Sequence, residues 1–349
     1  MSLSPMAASV YVGEGALEVQ RVPVPVPEPH EVLIEIAHCG ICGTDLHFVL
    51  ERIARPGTIL GHEWAGTIAA VGDAVDGWSV GQRVVCGPEP GCGECRACLA
   101  GRPSVCLKRP PTDHLSFRGA FARYVKAPAA QLLEVPEHLP SRAAALTEPT
   151  AVALHAVTLS GVTPADRVLV TGAGPVGLLV TAVLHAQGVR DITVSEPAPA
   201  RRERALNVGA ARAITPDSLP KPSMGSPVPE PYTVAFECSG NAAAGEAAIE
   251  QLDFAGICVL VGTGHEYPRL NHNRVIVLEN TIIGSYNYDA GGFAPALELL
   301  ASGALPLDAL VEPVDVFLDE LLPAMRRCAA GEVPGKVMVK PRRAQDGES

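Results

Sequence analysis

Residues 167–187 constrain the fold more than any other stretch of the chain. Arg167–Thr171 (RVLVT) is a short apolar run, GAGPVG follows at once, and an apolar segment of helical length occupies Leu178–Gln187. Strand, glycine-rich turn and helix in that order predict a βαβ unit that binds a dinucleotide. Gly172 allows the tight turn, Gly174 lets the backbone approach a pyrophosphate, and Gly177 lets helix and strand pack closely. Pro175 and Val176 stand at the start of the helix, where free N–H groups and the helix dipole favour an anion.

The same alternation continues downstream. Asp191–Ser195 (DITVS) precedes a helix-like ARRERALNVGA. Thr233–Glu237 (TVAFE), an Ala-rich helix near Asn241–Leu252, Gly256–Val261 and Thr281–Ser285 follow. Strand and helix patterns in turn predict a parallel sheet. Glu196 ends the second strand, 22 residues after Gly174. An acidic side chain there accepts hydrogen bonds from both ribose hydroxyls and repels a 2′-phosphate, which favours NAD over NADP. Arg201 and Arg202 are close enough in sequence to suit a 2′-phosphate and work the other way. Six prolines between 216 and 231 leave no room for a helix and predict an exposed loop.

Up to about residue 150 the pattern is different. Glu31–Ala37 (EVLIEIA), Ala65–Val71 (AGTIAAV) and Arg83–Cys86 (RVVC) are short apolar runs broken by Gly, Pro and Asp, and they predict a β-rich domain. After residue 285 come helix-like stretches at Ala294–Ala301 and Leu318–Ala330 and a strand-like Lys336–Lys340. A chain of 349 residues has room for two such domains.

Cys92, Cys95, Cys98 and Cys106 form C-x2-C-x2-C-x7-C. A C-x2-C step turns two thiolates toward one ion, and four sulfurs close a tetrahedral shell around Zn²⁺, although an Fe–S cluster also uses four cysteines and the spacing alone does not exclude one. Such a closed shell is structural, a staple for a surface lobe at about 88–110. A second set, in CGICGTDLH and GHEWAG, is of another kind. Cys42 and His62 offer one thiolate and one imidazole, and Glu63 or Glu148 (in TEPTAV) can complete a three-ligand shell. Three protein ligands with one open position is the arrangement of catalytic zinc. Asp45 is placed to accept a proton from His62 and fix its tautomer.

Composition excludes several function classes. The net charge of −11 and the absence of a strong basic run argue against nucleic acid. No uninterrupted apolar stretch reaches the ~18 residues of a membrane span, and MSLSPMAASV has no basic n-region before an apolar one. Ten cysteines at these spacings in a chain of this kind indicate metal ligands in a reducing compartment, hence a cytoplasmic protein.

In order along the chain, CGICGTDLH, GHEWAG, GCGECRACLAGRPSVC, FRGAFARYV, TEPTAVALHAV, GAGPVG, VSEP, FECSG and GKVMVKP resemble the zinc-dependent medium-chain alcohol dehydrogenases. The likeness is closest to the polyol, butanediol and threonine dehydrogenase branch. The resemblance implies a GroES-like β-rich catalytic domain from residues 1–155 and 296–349, with a Rossmann NAD(P)-binding domain inserted at 156–295. It implies catalytic zinc on Cys42, His62 and Glu63 or Glu148, with Thr44 moving the substrate proton and His47 next in the relay. It further implies that Glu196 and Arg201 meet the adenosine side of the cofactor, and that Val261, Gly262, Ser285, Tyr286 and Asn287 border the nicotinamide. A small alcohol or ketone as substrate and a homodimer or homotetramer belong to the same resemblance.

Two positions depart from sorbitol dehydrogenases, where Phe48 replaces a Tyr and Asn287 an Arg. The expected reaction is reversible oxidation of a secondary alcohol (a polyol, diol, cyclitol or amino alcohol) to a ketone, with hydride passing to NAD. The alternatives are a metal-independent quinone or enoyl reductase of the same fold, which the cysteine and histidine sets oppose, and a non-enzymatic zinc-binding protein, which the charge opposes.

Overall fold

The computed structural model describes residues 4–88, 91–108, 119–223, 225–289 and 291–342. Phe117 and Arg118, which open the FRGAFARYV run, lie outside them. The chain packs as two compact units, Met1–Glu148 with Val311–Ser349, and Pro149–Leu310.

In the first unit, β1 (Met6–Gly13) and β2 (Ala16–Val22) form an antiparallel pair. The larger sheet holds β3 (Glu31–Gly40), β4 (Glu63–Val71), β5 (Arg83–Cys86), β6 (Tyr124–Pro128), β7 (Leu132–Glu134), β14 (Val316–Phe317) and β15 (Met338–Lys340). Its order is β14-β15-β3-β4-β5-β7, with β6 also paired to β3. Val32, Ile34, Ile36, Ile68, Val84 and Val125 from these strands are buried together with Tyr11, Leu60 and Phe121. β3 and β4 are the pair that matters for the site, because their register sets Gly40 opposite Glu63. β15 pairs with β3 at Cys39 and Gly40, so a strand from late in the chain completes the sheet beside them.

The second unit is a six-stranded parallel sheet of β8 (Arg167–Thr171), β9 (Asp191–Ser195), β10 (Arg212–Ile214), β11 (Tyr232–Glu237), β12 (Leu252–Leu260) and β13 (Thr281–Gly284). Its order is β10-β9-β8-β11-β12-β13. Strand order reverses on either side of β8, which creates the switch point where such sheets bind ligands beyond their carboxyl ends. Register aligns those ends: Thr171 pairs with both Ser195 and Glu237, and Leu260 pairs with both Glu237 and Gly284. β8, β9 and β11 at the centre are buried on both faces, as their apolar runs require, whereas the edge strands β10 and β13 are half-buried or exposed.

The exchange between units differs from the sequence patterning. Packing places it at 148/149 and 310/311 rather than at 155/156 and 295/296. Helix Leu307–Leu310 packs on helices Pro175–Ala186 and Pro199–Asn207, and Gly291 lies against Leu154 and Thr158 of helix Thr147–Ser160. Amphipathic helices carry no mark of which sheet they will cover, so periodicity leaves this boundary open.

The proline-rich segment is a loop with a single short 3₁₀ turn at Pro216–Ser218. It is pinned from beneath by Arg274, which is 4% exposed. Arg274 donates to the carbonyls of Ser223 (3.1 Å), Ser226 (2.7 Å) and Glu250 (2.9 Å). Arg274→Ala is expected to cost about 1–3 kcal/mol, because three partly buried hydrogen bonds to carbonyls lose their charged donor. A lower denaturant midpoint at unchanged slope is the readout.

Candidate active site

Helix Gly43–Leu50 starts at Cys42, an extended residue at its N-cap. Asp45 is the third helical residue, and its Oδ2 accepts from the Cys42 N–H at 2.9 Å, so it caps the helix it belongs to. Its Oδ1 accepts from the Gly61 N–H at 3.1 Å. One carboxylate thus joins the backbone next to both expected ligands, Cys42 and His62. The expectation that Asp45 fixes the His62 tautomer is revised: Nδ1 of His62 lies 3.9 Å from Oδ1, beyond hydrogen-bond range. Asp45 positions the segment that carries His62 rather than its ring.

Cys42, His62 and Glu63 each bring a ligand atom within 4.8 Å of the other two. Glu148 is outside this cluster, although it lies close enough to His62 to act on it electrostatically. Burial pulls His62 down, but the Cys42 sulfur, then Asp45 and Glu148, outweigh it and hold the imidazole well above its ordinary value. Burial pushes Glu148 up to about 7. Glu63 is 1% exposed, and its Oε2 has no hydrogen-bond partner. An orphaned buried carboxylate oxygen beside a thiol and an imidazole is a donor set suited to Zn²⁺. Cys39, although nearby in sequence, is fully buried, and burial drives its thiol well above the usual range, so it is a packing residue rather than a ligand.

Thr44 is exposed, with its Oγ1 3.7 Å from the Cys42 sulfur. His47 projects from the same helix, and its Nδ1 is 2.6 Å from Glu51 Oε1. Phe48 packs on the core of the first unit.

The cysteine quartet converges as its spacing predicts. Cys92, Cys95, Cys98 and Cys106 bring their sulfurs within 4.8 Å of one another. Cys92 and Cys98 sulfurs are 3.9 Å apart, and Cys95 and Cys106 sulfurs 4.0 Å. Four sulfurs about 2.3 Å from one tetrahedral ion stand about 3.8 Å from each other, far longer than the ~2.05 Å of a disulfide. Backbone N–H groups of Cys98 and Leu107 face Cys95 and draw its thiol down to about 6, favouring the thiolate that a metal binds.

In the second unit the glycine loop has the predicted geometry. Gly172 adopts φ +92°, and a Cβ there would fall 2.7 Å from the Ser239 side chain. A Cβ on Gly177 would lie 2.0 Å from the Gly172 carbonyl oxygen. At Gly174 nothing stands within 4 Å of the missing Cβ. That open side, at the N-cap of the 12-residue helix Pro175–Ala186, is free for a pyrophosphate. Glu196 is 4% exposed and is already engaged: Oε2 accepts from Ala173 N–H at 2.8 Å and Oε1 from Ala198 N–H at 2.9 Å. It therefore shapes the glycine loop. Arg201 is partly buried on the helix that follows. Val261 and Gly262 both donate to the Glu237 carbonyl just past β12, and Ser285, Tyr286 and Asn287 follow directly on β13. Asn287 is left-handed, at φ 60°.

Two residues escape sequence reasoning. Glu237, at the end of β11, accepts from the N–H groups of Ser239 (2.7 Å) and Gly240 (3.0 Å) and so shapes the same sheet edge. The acid followed by small residues in FECSG was the available signal. Lys336 places its Nζ 2.7 Å from Glu63 Oε1, and a lone lysine beside a strand gives no hint of this.

Residues 28–137 match the family model described as "Alcohol dehydrogenase GroES-like domain", and residues 175–302 the one described as "Zinc-binding dehydrogenase". Sorbitol dehydrogenase of Bacillus subtilis (strain 168) is 34% identical over 354 residues, covering 97% of this chain and 98% of that enzyme. The chain belongs to the zinc-dependent medium-chain alcohol dehydrogenase family. Within that family, L-threonine 3-dehydrogenase of Stenotrophomonas maltophilia (strain K279a) is 34% identical over 276 residues, 77% of this chain and 80% of that one. A zinc-binding dehydrogenase from Sinorhizobium meliloti 1021, solved bound to NADP, superposes with a TM-score of 0.85 at 29% identity, covering 97% and 100% of the two chains. The first unit is thus the GroES-like domain and the second the Rossmann domain of a dehydrogenase.

Asp45→Asn keeps one acceptor and turns the other into a donor facing an N–H. The variant is expected to lose about 1–3 kcal/mol of stability. Elemental analysis is expected to find less than one equivalent of the more labile zinc.

Proposed function

We propose that this dehydrogenase oxidises a secondary alcohol to a ketone with NAD as hydride acceptor, and that its active centre is the cluster of Cys42, His62 and a glutamate next to Thr44. The observation that carries this reading is the convergence of a thiol, an imidazole and an orphaned buried carboxylate within 4.8 Å, beside an exposed hydroxyl. Cys42, His62 and the glutamate would hold a zinc ion that would supply Lewis acidity toward an alcohol oxygen, and the Gly172–Gly177 loop would hold the NAD that would supply the hydride acceptor.

The chain's own residues do the rest. Thr44 Oγ1 accepts the proton of the substrate hydroxyl. His47, oriented by Glu51 at 2.6 Å, receives it next and releases it to water. Asp45 keeps Cys42 and the segment bearing His62 at fixed separation, so the shell is assembled before substrate arrives. Glu196 selects NAD by repelling a 2′-phosphate while Arg201 flanks the adenosine side. Val261, Gly262, Ser285, Tyr286 and Asn287 form the rim on which the nicotinamide rests. Cys92, Cys95, Cys98 and Cys106 hold a second, structural zinc.

The substrate belongs to the polyols, diols, cyclitols or amino alcohols, the chemistry that the names of the sorbitol and threonine enzymes span. A homodimer or homotetramer is supported by β13, which ends the parallel sheet with one side unpaired and exposes Tyr286 just beyond it. Cytoplasmic placement is supported by free thiols at metal-ligand spacing. No described helix is long and apolar enough to cross a membrane.

Elemental analysis is expected to find about two zinc ions per chain. Cys42→Ala and His62→Ala are expected to keep one ion and lose about 10³-fold or more in kcat. Cys92→Ala should instead lower the unfolding midpoint. A steady-state screen of alcohol classes with both nucleotides tests the reaction, and full turnover by zinc-free Cys42→Ala would refute it. Glu196→Gln is expected to narrow the preference for NAD over NADP by about tenfold, measured as the ratio of kcat/KM values.

A further inference from the structure

Glu237 is a buried acid at the carboxyl end of β11, and the reaction outlined above makes no use of its charge. The residue is 4% exposed. Its Oε1 accepts from the Ser239 N–H at 2.7 Å, from the Gly240 N–H at 3.0 Å and from the Ser239 hydroxyl. Its Oε2 has only the longer branch of the same Gly240 N–H, at 3.2 Å. This second oxygen faces Gly262, where a Cβ would fall 2.9 Å from it. The Glu237 carbonyl accepts from the N–H groups of Val261 (2.8 Å) and Gly262 (2.9 Å). Side chain and backbone of one acid thus both lie against the residues proposed to start the nicotinamide rim. Glu196, the other carboxylate on this edge, stands on the far side of β8 and meets Ala173 and Ala198 instead. The donors to Glu237 are all neutral, and among the described residues no basic side chain forms an ion pair with it. Burial raises its pKa, and donation from Ser239 and Gly240 opposes the rise. Burial, and after it the Glu237 charge, hold the Cys238 and Cys258 thiols above their ordinary value, so both neighbours stay neutral.

We propose that Glu237 biases the nucleotide site toward the oxidised form of its cofactor. The oxidised nicotinamide ring carries a positive charge and the reduced ring none. A fixed carboxylate behind the rim therefore stabilises the first and leaves the second nearly unaffected. Salt screens a buried acid much less than an exposed one, so the effect persists at physiological ionic strength. The bias helps NAD to bind in competition with NADH, while lowering the driving force for hydride transfer to it. Adenosine and pyrophosphate are common to both forms. An acid that only held the Ser239–Gly240 and Val261–Gly262 segments in place would act on both forms alike.

This role rests on the reading that the glycine loop meets the pyrophosphate and that Val261 and Gly262 border the nicotinamide, and the test separates the two. Dissociation constants of purified zinc-loaded enzyme for NAD and for NADH are measured by calorimetry at about pH 8, well above the ordinary carboxylate range. Glu237→Gln keeps an oxygen for Ser239 and Gly240 and removes the charge. It is expected to raise the ratio of the NAD constant to the NADH constant about tenfold, mostly by weakening NAD. Glu196→Gln, on the adenosine side, is expected to change both constants alike and leave the ratio where it was. Should Glu237→Gln not fold, Glu237→Asp decides the point. It draws the charge back by one methylene and is expected to raise the ratio about twofold. An unchanged or lower ratio in Glu237→Gln, or in Glu237→Asp where that is the variant that folds, overturns the role of Glu237. A ratio that Glu196→Gln raises as far as the Glu237 variant does overturns the placement of the rim, and wild-type enzyme that binds neither nucleotide overturns the site itself.

Discussion

Asp45 has no access to solvent, and both of its oxygens are occupied by backbone N–H groups, one at Cys42 and one at Gly61. The rest of the catalytic unit depends on this carboxylate. Burial pushes it toward the neutral form, and the positive character of His62 and the Cys42 N–H pull it back. Each charge-assisted bond contributes about 1.5–3 kcal/mol, while the desolvation of a carboxylate costs several kcal/mol. Two such bonds leave the balance near zero. A cation next to His62 tips it toward the charged state, so ligand geometry and metal occupancy reinforce each other.

The nucleotide unit solves a different problem with fewer charges. Its strands need only be apolar, and their aligned ends place Gly172, Glu196, Cys238, Val261 and Ser285 along one edge. Specific chemistry is confined to that edge. Glu196 ties the second strand to the glycine loop through Ala173, so the residue proposed to read the ribose also sets the backbone of the loop proposed to meet the pyrophosphate. Glu237 does the equivalent work one strand further on, by holding Ser239 and Gly240.

Much of this was legible because the relevant forces act locally. The glycine loop, the strand–turn–helix step around it and the cysteine quartet each lie within about twenty residues, and spacing alone dictates their geometry. Long-range pairing was not legible. Lys336 meets a carboxylate 273 positions earlier, and nothing near either residue marks the pair. Asp45 was visible as a partner of the site, but the choice between a histidine ring and two backbone N–H groups depends on the helix start, which turns its carboxylate back toward Cys42. Helices 293–301 and 307–310 likewise bury apolar residues whose spacing does not name the sheet they cover.

The pairing of β15 with β3 has a consequence for biosynthesis. The hydrogen bond from Lys336 to Ile41 spans 295 positions. A nascent polypeptide leaving the ribosome can close its Rossmann sheet as soon as β13 emerges, but the cluster around Cys42 lacks Lys336 and its neighbouring strand until β15 is out. A chain interrupted between β13 and β15 would therefore carry a complete parallel sheet and an unfinished cluster at Cys42.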